Sequence, residues 1–308
     1  MNWRLKGAIQ KMLGRVPAGE RIHYELQRRG GGLRNFDKEL EAKVEDWRLM
    51  VGHLASVGRP VAGAQMLEMG SGWYPTFPFG LFLGGVKSVI TVDLNRYLKP
   101  ELMARMVEGL GRFLPVIVEA TGRKADDVDA AYRELRGAIR RGASIEDATG
   151  GVVTYQAPAD AADTRLPAAS LDVVFSNSVL EHVPGPVIEA CFVEARRILR
   201  PGGVVFHSVN CGDHYAYADR RIHQLNYLQF SEADWAKWNN EFLYQNRLRA
   251  VDFTDMAKRA GFTIEVDTSR PHPTRLEQLS QIRVHPEFAR YSRDQLAITS
   301  IDFVARNP

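Results

Sequence analysis

The run Glu68-Met69-Gly70-Ser71-Gly72 restricts what this chain can fold into more than any other stretch. It closes an apolar, strand-like segment from Val61 to Glu68 and precedes a second apolar segment from Phe77 to Leu83. Strand, tight glycine turn and helix are expected in that order. Glycine lacks a Cβ, so the turn can adopt positive φ and a ligand can lie against its backbone. The helix that follows opens with N–H groups that have no intrahelical partner and that suit a polar or anionic group.

Further strand-like and helical runs follow the turn. Ser88-Val89-Ile90-Thr91-Val92 is a β-branched run between Gly84-Gly85 and Asp93, and reads as the second strand. Gly151 to Tyr155 reads as the third. Leu171 to Phe175 is nearly all apolar, as in a strand buried on both faces. A helix from Val187 to Leu199 follows, with Val187, Ile188, Cys191, Phe192, Ala195, Ile198 and Leu199 inward. Arg200-Pro201-Gly202-Gly203 stops it and turns the chain into a fifth strand at Val204-Val205-Phe206. A helix from Val251 to Ala260, a strand from Gly261 to Val266, a proline-bearing loop over 270–290 and a last strand within Leu296 to Val304 complete the core.

The glycine pair fails as a dinucleotide fingerprint, because the third glycine of G-x-G-x-x-G falls at Pro75. Read as E-x-G-x-G it resembles the first motif of class I S-adenosylmethionine (SAM)-dependent methyltransferases, with Tyr74 where that family continues with a third glycine. The stretch from Asp160 to Val183, with Leu166-Pro167, Ser170-Leu171-Asp172-Val173-Val174 and Val179-Leu180-Glu181-His182, is similar to methyltransferase type 11 sequences, as is the Leu199-Arg200-Pro201-Gly202-Gly203 turn. The resemblance implies a Rossmann-like, doubly wound, mostly parallel sheet with an antiparallel last strand. It also implies SAM as cofactor, with Glu68, Gly70, Ser71 and Gly72 at its amino-acid part and Asp93 at its ribose. An acceptor-only carboxylate at the end of the second strand can take both ribose hydroxyl donors. Ser176, Asn177 and Val179 are expected near the sulfonium. For the adenine two acids compete, Asp160 and Asp163, since the family's spacing falls on Ala162. Asp160 with Ala161 is preferred because it follows the third strand more directly.

His182 and His214 are the candidate general bases if the acceptor is a hydroxyl. His182 lies just beyond the fourth strand, and His214 stands beside Asp213. A turn or packing role is the competing reading for each. His207, Asp213, His214 and His223 match no defined metal motif, so no metal is expected. The acceptor is expected to be a small molecule or glycan-type compound. A SAM-binding regulator without turnover and a nicotinamide-dependent oxidoreductase are the alternatives.

Outside this core, residues 1–60 are expected to be a helical extension separate from the 61–308 methyltransferase domain, with an elaboration over 98–150 and a helical lid over 212–250. Eight basic residues against two acidic ones between Met1 and Arg34 give the start of the chain a charge excess, although the whole chain is only +3. That total does not mark a nucleic-acid binder. Trp3, Leu5, Ile9, Met12 and Leu13 share a helical face, which suits packing on the domain or on a twin subunit, or peripheral contact of residues 1–15 with anionic lipid. A second helix from Asn35 to Val57 has Leu40, Val44, Trp47, Leu49, Val51 and Leu54 as its buried positions. Cys191 and Cys211 lack metal-ligand spacing, and with no signal-peptide or membrane-spanning run they suit a reduced, cytoplasmic setting.

Overall fold

Seven strands join in one sheet in a computed structural model that describes residues 2–13, 35–240 and 244–308. They are β1 (Gln65–Met69), β2 (Ser88–Val92), β3 (Val153–Gln156), β4 (Leu171–Asn177), β5 (Leu199–Asn210), β6 (Thr263–Asp267) and β7 (Ser300–Arg306). The spatial order is β3-β2-β1-β4-β5-β7-β6. β1 pairs in parallel with both β2 and β4, whereas β7 runs antiparallel to β5 and β6. The chain therefore starts at the centre, winds out to β3 and returns to the other side of β1. In open α/β sheets the crevice at such a switch point, outside the carboxyl ends of the strands, is where ligands bind. Here it lies between β1 and β4.

Alternation along the strands sorts side chains into two cores. Met66, Val173, Phe175, Val204 and Phe206 face one, and Leu67, Val174, Val205 and Val209 face the other. The first is covered by α2 (Phe36–Ser56), α3 (Thr76–Leu83), α4 (Pro100–Leu110), α5 (Leu114–Thr121), α6 (Ala125–Arg140) and α7 (Ile145–Ala148). The second is covered by α8 (Gly185–Ile198) and α10 (Ala250–Arg259), while the short α9 (Glu232–Trp235) packs in a third, aromatic cluster. α2 buries Phe36, Leu40, Val44, Trp47 and Leu54 in the first core, so it does not stand apart from the sheet. Leu49 and Val187, both expected inward, are each 39% exposed, and Met50 takes the buried place on α2.

Several boundaries move for local reasons. β1 begins at Gln65 because Gly63, at φ 73°, forms a turn in which Ala64 N donates to Val61 O at 3.1 Å. β3 begins after Gly150 and Gly151, both at positive φ. The Arg200–Gly203 turn is absorbed into β5: Leu199 pairs with Leu171 and Val204 with Val173, so the extra residues bulge between two points of pairing. The 270–290 loop contains α11 (Pro273–Ser280), and α12 (Arg293–Ala297) precedes β7.

The region 212–250 is not the helical lid that was expected. It consists of turns, two short 3₁₀ segments (His214–Tyr217 and Asn226–Gln229) and the four-residue α9. An aromatic cluster that includes Trp3, Tyr215, Tyr227 and Trp235 holds it together. Trp3 comes from α1 (Trp3–Leu13), whose Gly7 passes so close to Tyr215 that a Cβ there would lie 2.7 Å from its hydroxyl. The buried side of α1 is Trp3, Gly7 and Gln10, so of the expected apolar face Trp3 packs, while Leu5, Ile9 and Met12 are 56%, 40% and 70% exposed. Most of the basic residues of the first 34 positions, Arg15, Arg21, Arg28, Arg29 and Arg34, lie outside the described residues. Among the described residues no helix is long and apolar enough to cross a membrane.

Candidate active site

The two glycines of the turn do different work. Gly70 has φ 88°, and a Cβ there would lie 2.4 Å from Val179 Cγ2, so it is the close approach of the segment leaving β4 that requires glycine. Gly72 has φ 64°, and a Cβ there would meet nothing within 4 Å. Its open side is the backbone surface a ligand can reach. Gly72 N donates to Asp93 Oδ2 at 3.1 Å, and Asn95 N donates to Oδ1 at 3.1 Å. A carboxylate has about four lone-pair sites, so Asp93 keeps acceptor capacity for a ligand hydroxyl. Tyr74, at the place of the family's third glycine, packs on Phe36 with ring centroids 5.0 Å apart and anchors the start of α2.

Below the turn, Thr91 Oγ1 donates to Glu68 Oε2 at 2.5 Å, and Ser71 Oγ lies 2.6 Å from Thr91 Oγ1. Burial pushes the Glu68 carboxyl up to about 7, against the opposing pull of Thr91 and Lys43. Glu68 and Ser71 are both buried and support the turn from inside.

The residues leaving β4 divide between core and crevice. Ser176 is fully buried, with Oγ 2.7 Å from His207 Nδ1, so it braces β4 against β5 and offers no surface to a ligand. Asn177 accepts from Lys43 Nζ at 3.0 Å and donates to Asp46 Oδ2 at 3.2 Å. α2 thus delivers a cation and a carboxylate to the carboxyl end of β4. Nothing in the periodicity of α2 marks Lys43 or Asp46 apart from their being polar beside Val44 and Trp47. On the adenine side Asp160 is exposed and accepts from Ala162 N at 2.8 Å, while Ala161 is half-buried against the second core. Asp163 is exposed, 3.7 Å from Arg165.

A cavity of about 290 Å³ opens beyond β4, lined by Asp46, Ser178, Ser208, Asn210, Tyr217 and Ser300 among others. Ser178 is a non-glycine residue at φ 54°. Tyr217 and Gln224, also on the wall, are joined by a 3.1 Å hydrogen bond, and Asn210 Nδ2 donates to the Tyr217 hydroxyl at 2.6 Å. Beside this cavity lie Glu181, His182 and His214. Asn210 N donates to Glu181 Oε1 at 3.3 Å, the His182 and His214 rings are 5.0 Å apart, and the Tyr217 ring is 5.7 Å from His214. Burial raises Glu181 to about 7 and lowers His214 to about 3. His182 is lowered too, although its side chain keeps an exposed edge. His207 and His223, weighed as metal ligands from the sequence, are not brought into this group.

Residues 109–207 match the family model described as "Methyltransferase domain". That stretch runs from the end of α4 through β5 and is less than half of the chain; it does not include the glycine turn. A comparison with curated proteins found no match. Among solved structures the chain is similar to an S-adenosylmethionine-dependent methyltransferase from Mesorhizobium loti, at 17% identity over 80% of this chain and 92% of that one, with TM-score 0.43. It is also similar to geranyl diphosphate methyltransferase in complex with SAM, at 14% identity over 93% and 95% of the two chains, with TM-score 0.48. A phosphoethanolamine N-methyltransferase 2 from Haemonchus contortus is 19% identical over 85% of this chain and 53% of that one, with TM-score 0.44.

The domain match makes residues 109–207 a methyltransferase domain, and the strand order and the open glycine turn facing an acid at the end of β2 agree with the fold that the sequence resemblance implies. The matched stretch includes the Leu166 to His182 segment that resembles methyltransferase type 11 sequences, a resemblance that implies SAM as cofactor. The residues present fit it: an unobstructed Gly72, spare acceptor capacity on Asp93 and a supporting chain of Ser71, Thr91 and Glu68.

Proposed function

We propose that the chain methylates a hydroxyl of a small polar acceptor, of small-molecule or glycan type, seated in the cavity beside β4. The observation that carries this reading is the wall of that cavity. It is built from hydroxyls, amides and one carboxylate, and Asn210 and Tyr217 tie it to Glu181 and His214. Such a wall recognises a hydroxylated molecule by donor and acceptor pairing, and a site built to pair hydroxyls rejects analogues that lack them.

SAM supplies a methyl group activated by its positive sulfur, which passes to the acceptor oxygen as the carbon–sulfur bond breaks and leaves S-adenosylhomocysteine. The protein's part is to hold that group, align the acceptor and keep water out. Gly70 to Gly72 and Asp93 hold the amino-acid and ribose parts, and Asp160 with Ala161 bounds the adenine. Asn177, fixed by Lys43 and Asp46, and Val179, fixed against Gly70, form the floor between cofactor and acceptor. His182 is the group placed to receive the acceptor's proton: its Nδ1 lies 2.7 Å from Tyr244 O, which directs Nδ1–H to the carbonyl and leaves a lone pair on Nε2. His214, held near 3 by burial, is too weak a base for that step and instead flanks the acceptor. The buried free thiols Cys191 and Cys211 favour a reducing, cytoplasmic setting.

The test is incubation of the protein with methyl-labelled SAM and panels of hydroxylated, amine and carboxylate acceptors. Label is expected in the hydroxylated panel as an ether that survives mild alkali. Label confined to amines or carboxylates removes the reading.

A further inference from the structure

We propose that Glu181, His182 and His214 form a three-ligand centre for a divalent transition-metal ion of the zinc class. Each residue offers one ligand atom, and these atoms all lie within 4.8 Å of one another. Two of the three carry buried polar atoms without partners. Glu181 is 1% exposed and its Oε2 is unpaired, as is His214 Nε2. An unpaired buried acceptor costs about 1–3 kcal/mol, and an ion is one of the few occupants that removes that cost for both residues together.

The surroundings orient the ligands toward a shared point. Tyr244 O takes the Nδ1 proton of His182 at 2.7 Å, the arrangement by which a backbone carbonyl fixes the tautomer and basicity of a metal-binding imidazole. Asn210 N occupies Glu181 Oε1 and so leaves Oε2 as the free oxygen. Two imidazoles and one carboxylate are a borderline donor set suited to zinc, and three protein ligands leave one position open. At ligand distances of about 2.0–2.2 Å the donor atoms must close by roughly 1 Å or more, a movement open to the exposed His182 ring. Lys6 of α1 disfavours positive charge on His214, and Lys43 of α2 favours the ionised carboxylate of Glu181. With a single carboxylate set against two lysines, an ion that gains from bonding to imidazole nitrogen is favoured over a hard ion such as Mg²⁺.

The role of the centre, though not the binding itself, rests on the function proposed above. With both imidazoles occupied as ligands, the open position would hold the acceptor hydroxyl and make it more acidic, and the role of His182 as base would apply to the metal-free protein alone.

The full-length protein, stripped with a chelator and dialysed, is titrated with Co²⁺, Zn²⁺ and Mg²⁺ alone. One equivalent of Co²⁺ is expected, with the visible absorption of a four- or five-coordinate site, displaced by Zn²⁺ and not by Mg²⁺. His182→Ala, His214→Ala and Glu181→Gln are each expected to weaken binding at least about tenfold. The melting curve of each metal-free variant reports whether its fold is kept, and His182→Ala, at an exposed ring, decides the matter if the buried variants do not fold. Failure to bind one equivalent, or unchanged affinity in His182→Ala, overturns the metal centre. Methylation of hydroxyl acceptors by a chain that binds no ion overturns the centre and leaves the proposed function standing. An ion bound by these residues in a chain that methylates no hydroxyl does the reverse.

Discussion

Replacing Gly70 tests the contact on which the shape of the crevice depends. The position combines φ 88° with a Cβ site 2.4 Å from Val179 Cγ2 and 3.3 Å from Cγ1. Gly70→Ala therefore meets two separate penalties. Holding an L-residue in the left-handed region costs about 1–2 kcal/mol. Forcing a methyl into a packed contact costs about 1–3 kcal/mol, because Val179 follows β4 directly and cannot withdraw without moving the floor of the crevice. Together the variant should be about 2–5 kcal/mol less stable than wild type. The two penalties separate in a cycle with Val179→Ala, which removes both offending methyl carbons. In that background the steric share disappears and only the backbone share remains, so the two substitutions should couple favourably by about 1–3 kcal/mol. Gly72→Ala is the internal control: φ 64° but nothing within 4 Å, so only the backbone share applies to stability. SAM affinity should nonetheless fall in Gly72→Ala, since the added methyl enters the space the ligand uses. Denaturant unfolding of the four chains of the cycle and of Gly72→Ala, with calorimetric titration of SAM, gives all the quantities. Equal loss of stability in Gly70→Ala and Gly72→Ala, or no coupling to Val179, would refute the assignment of Gly70 to close packing.

Two further outcomes follow from the acids of the crevice. Asp93→Ala should weaken SAM by about 1.5–3 kcal/mol, roughly ten- to a hundredfold, as charge-assisted hydrogen bonds are lost, and Asp93→Asn should lose less because one carbonyl acceptor remains; calorimetry showing unchanged affinity in both places the ribose elsewhere. Glu68 is raised from 4.5 to about 7 by burial, so the folded state disfavours its ionised form by about 3 kcal/mol. Its penalty is absent below pH 4.5, grows as pH rises toward 7 and is complete above it. The buried His207, lowered from 6.5 to about 3, acts the other way and penalises the fold as pH falls below 6.5. The quantity to read is hence the difference between Glu68→Gln and wild type, which should move in favour of the variant by about 2–3 kcal/mol between pH 4.5 and pH 8 in denaturant melts. A difference that does not change with pH would mean Glu68 is not buried as described.

The centre of the fold was readable because its signals are local. β2 lies where its β-branched run stands between Gly85 and Asp93, and the bounds of α2, α8 and α10 fall within two residues of the apolar period. What went astray depended on turn geometry or on distant partners. Gly63 and Gly151 shorten β1 and β3 through positive φ, which composition does not reveal. The apolar residues of α1 suggested one packed face, yet the helix docks through Trp3 and Gly7 because the aromatic cluster that receives them comes from Tyr215 and residues beyond it in the chain. Tyr74 broke the family's glycine pattern, and only the structure shows that it holds Phe36.

The site divides along the same line, and the division has a physical cause. Cofactor recognition here relies on backbone shape at one turn and on one acid a strand away, and such a unit must be contiguous or nearly so to be rigid. Its residues therefore stand close together in sequence, and Gly72 and Asp93 meet at 3.1 Å as their spacing predicts. Acceptor recognition has no such constraint. The wall proposed for it is assembled from α2 through Asp46, from Ser178 just after β4, from β5 through Ser208 and Asn210, from the 212–250 region through Tyr217, and from β7 through Ser300. These positions become neighbours only because β7 enters the sheet antiparallel, which brings its first residue to the edge where β4 and β5 end. Each contributes a common polar side chain with no motif of its own, so the wall can change one residue at a time without disturbing the turn that holds the cofactor. Specificity for the acceptor consequently resides in the part of the chain where sequence pattern carries least information.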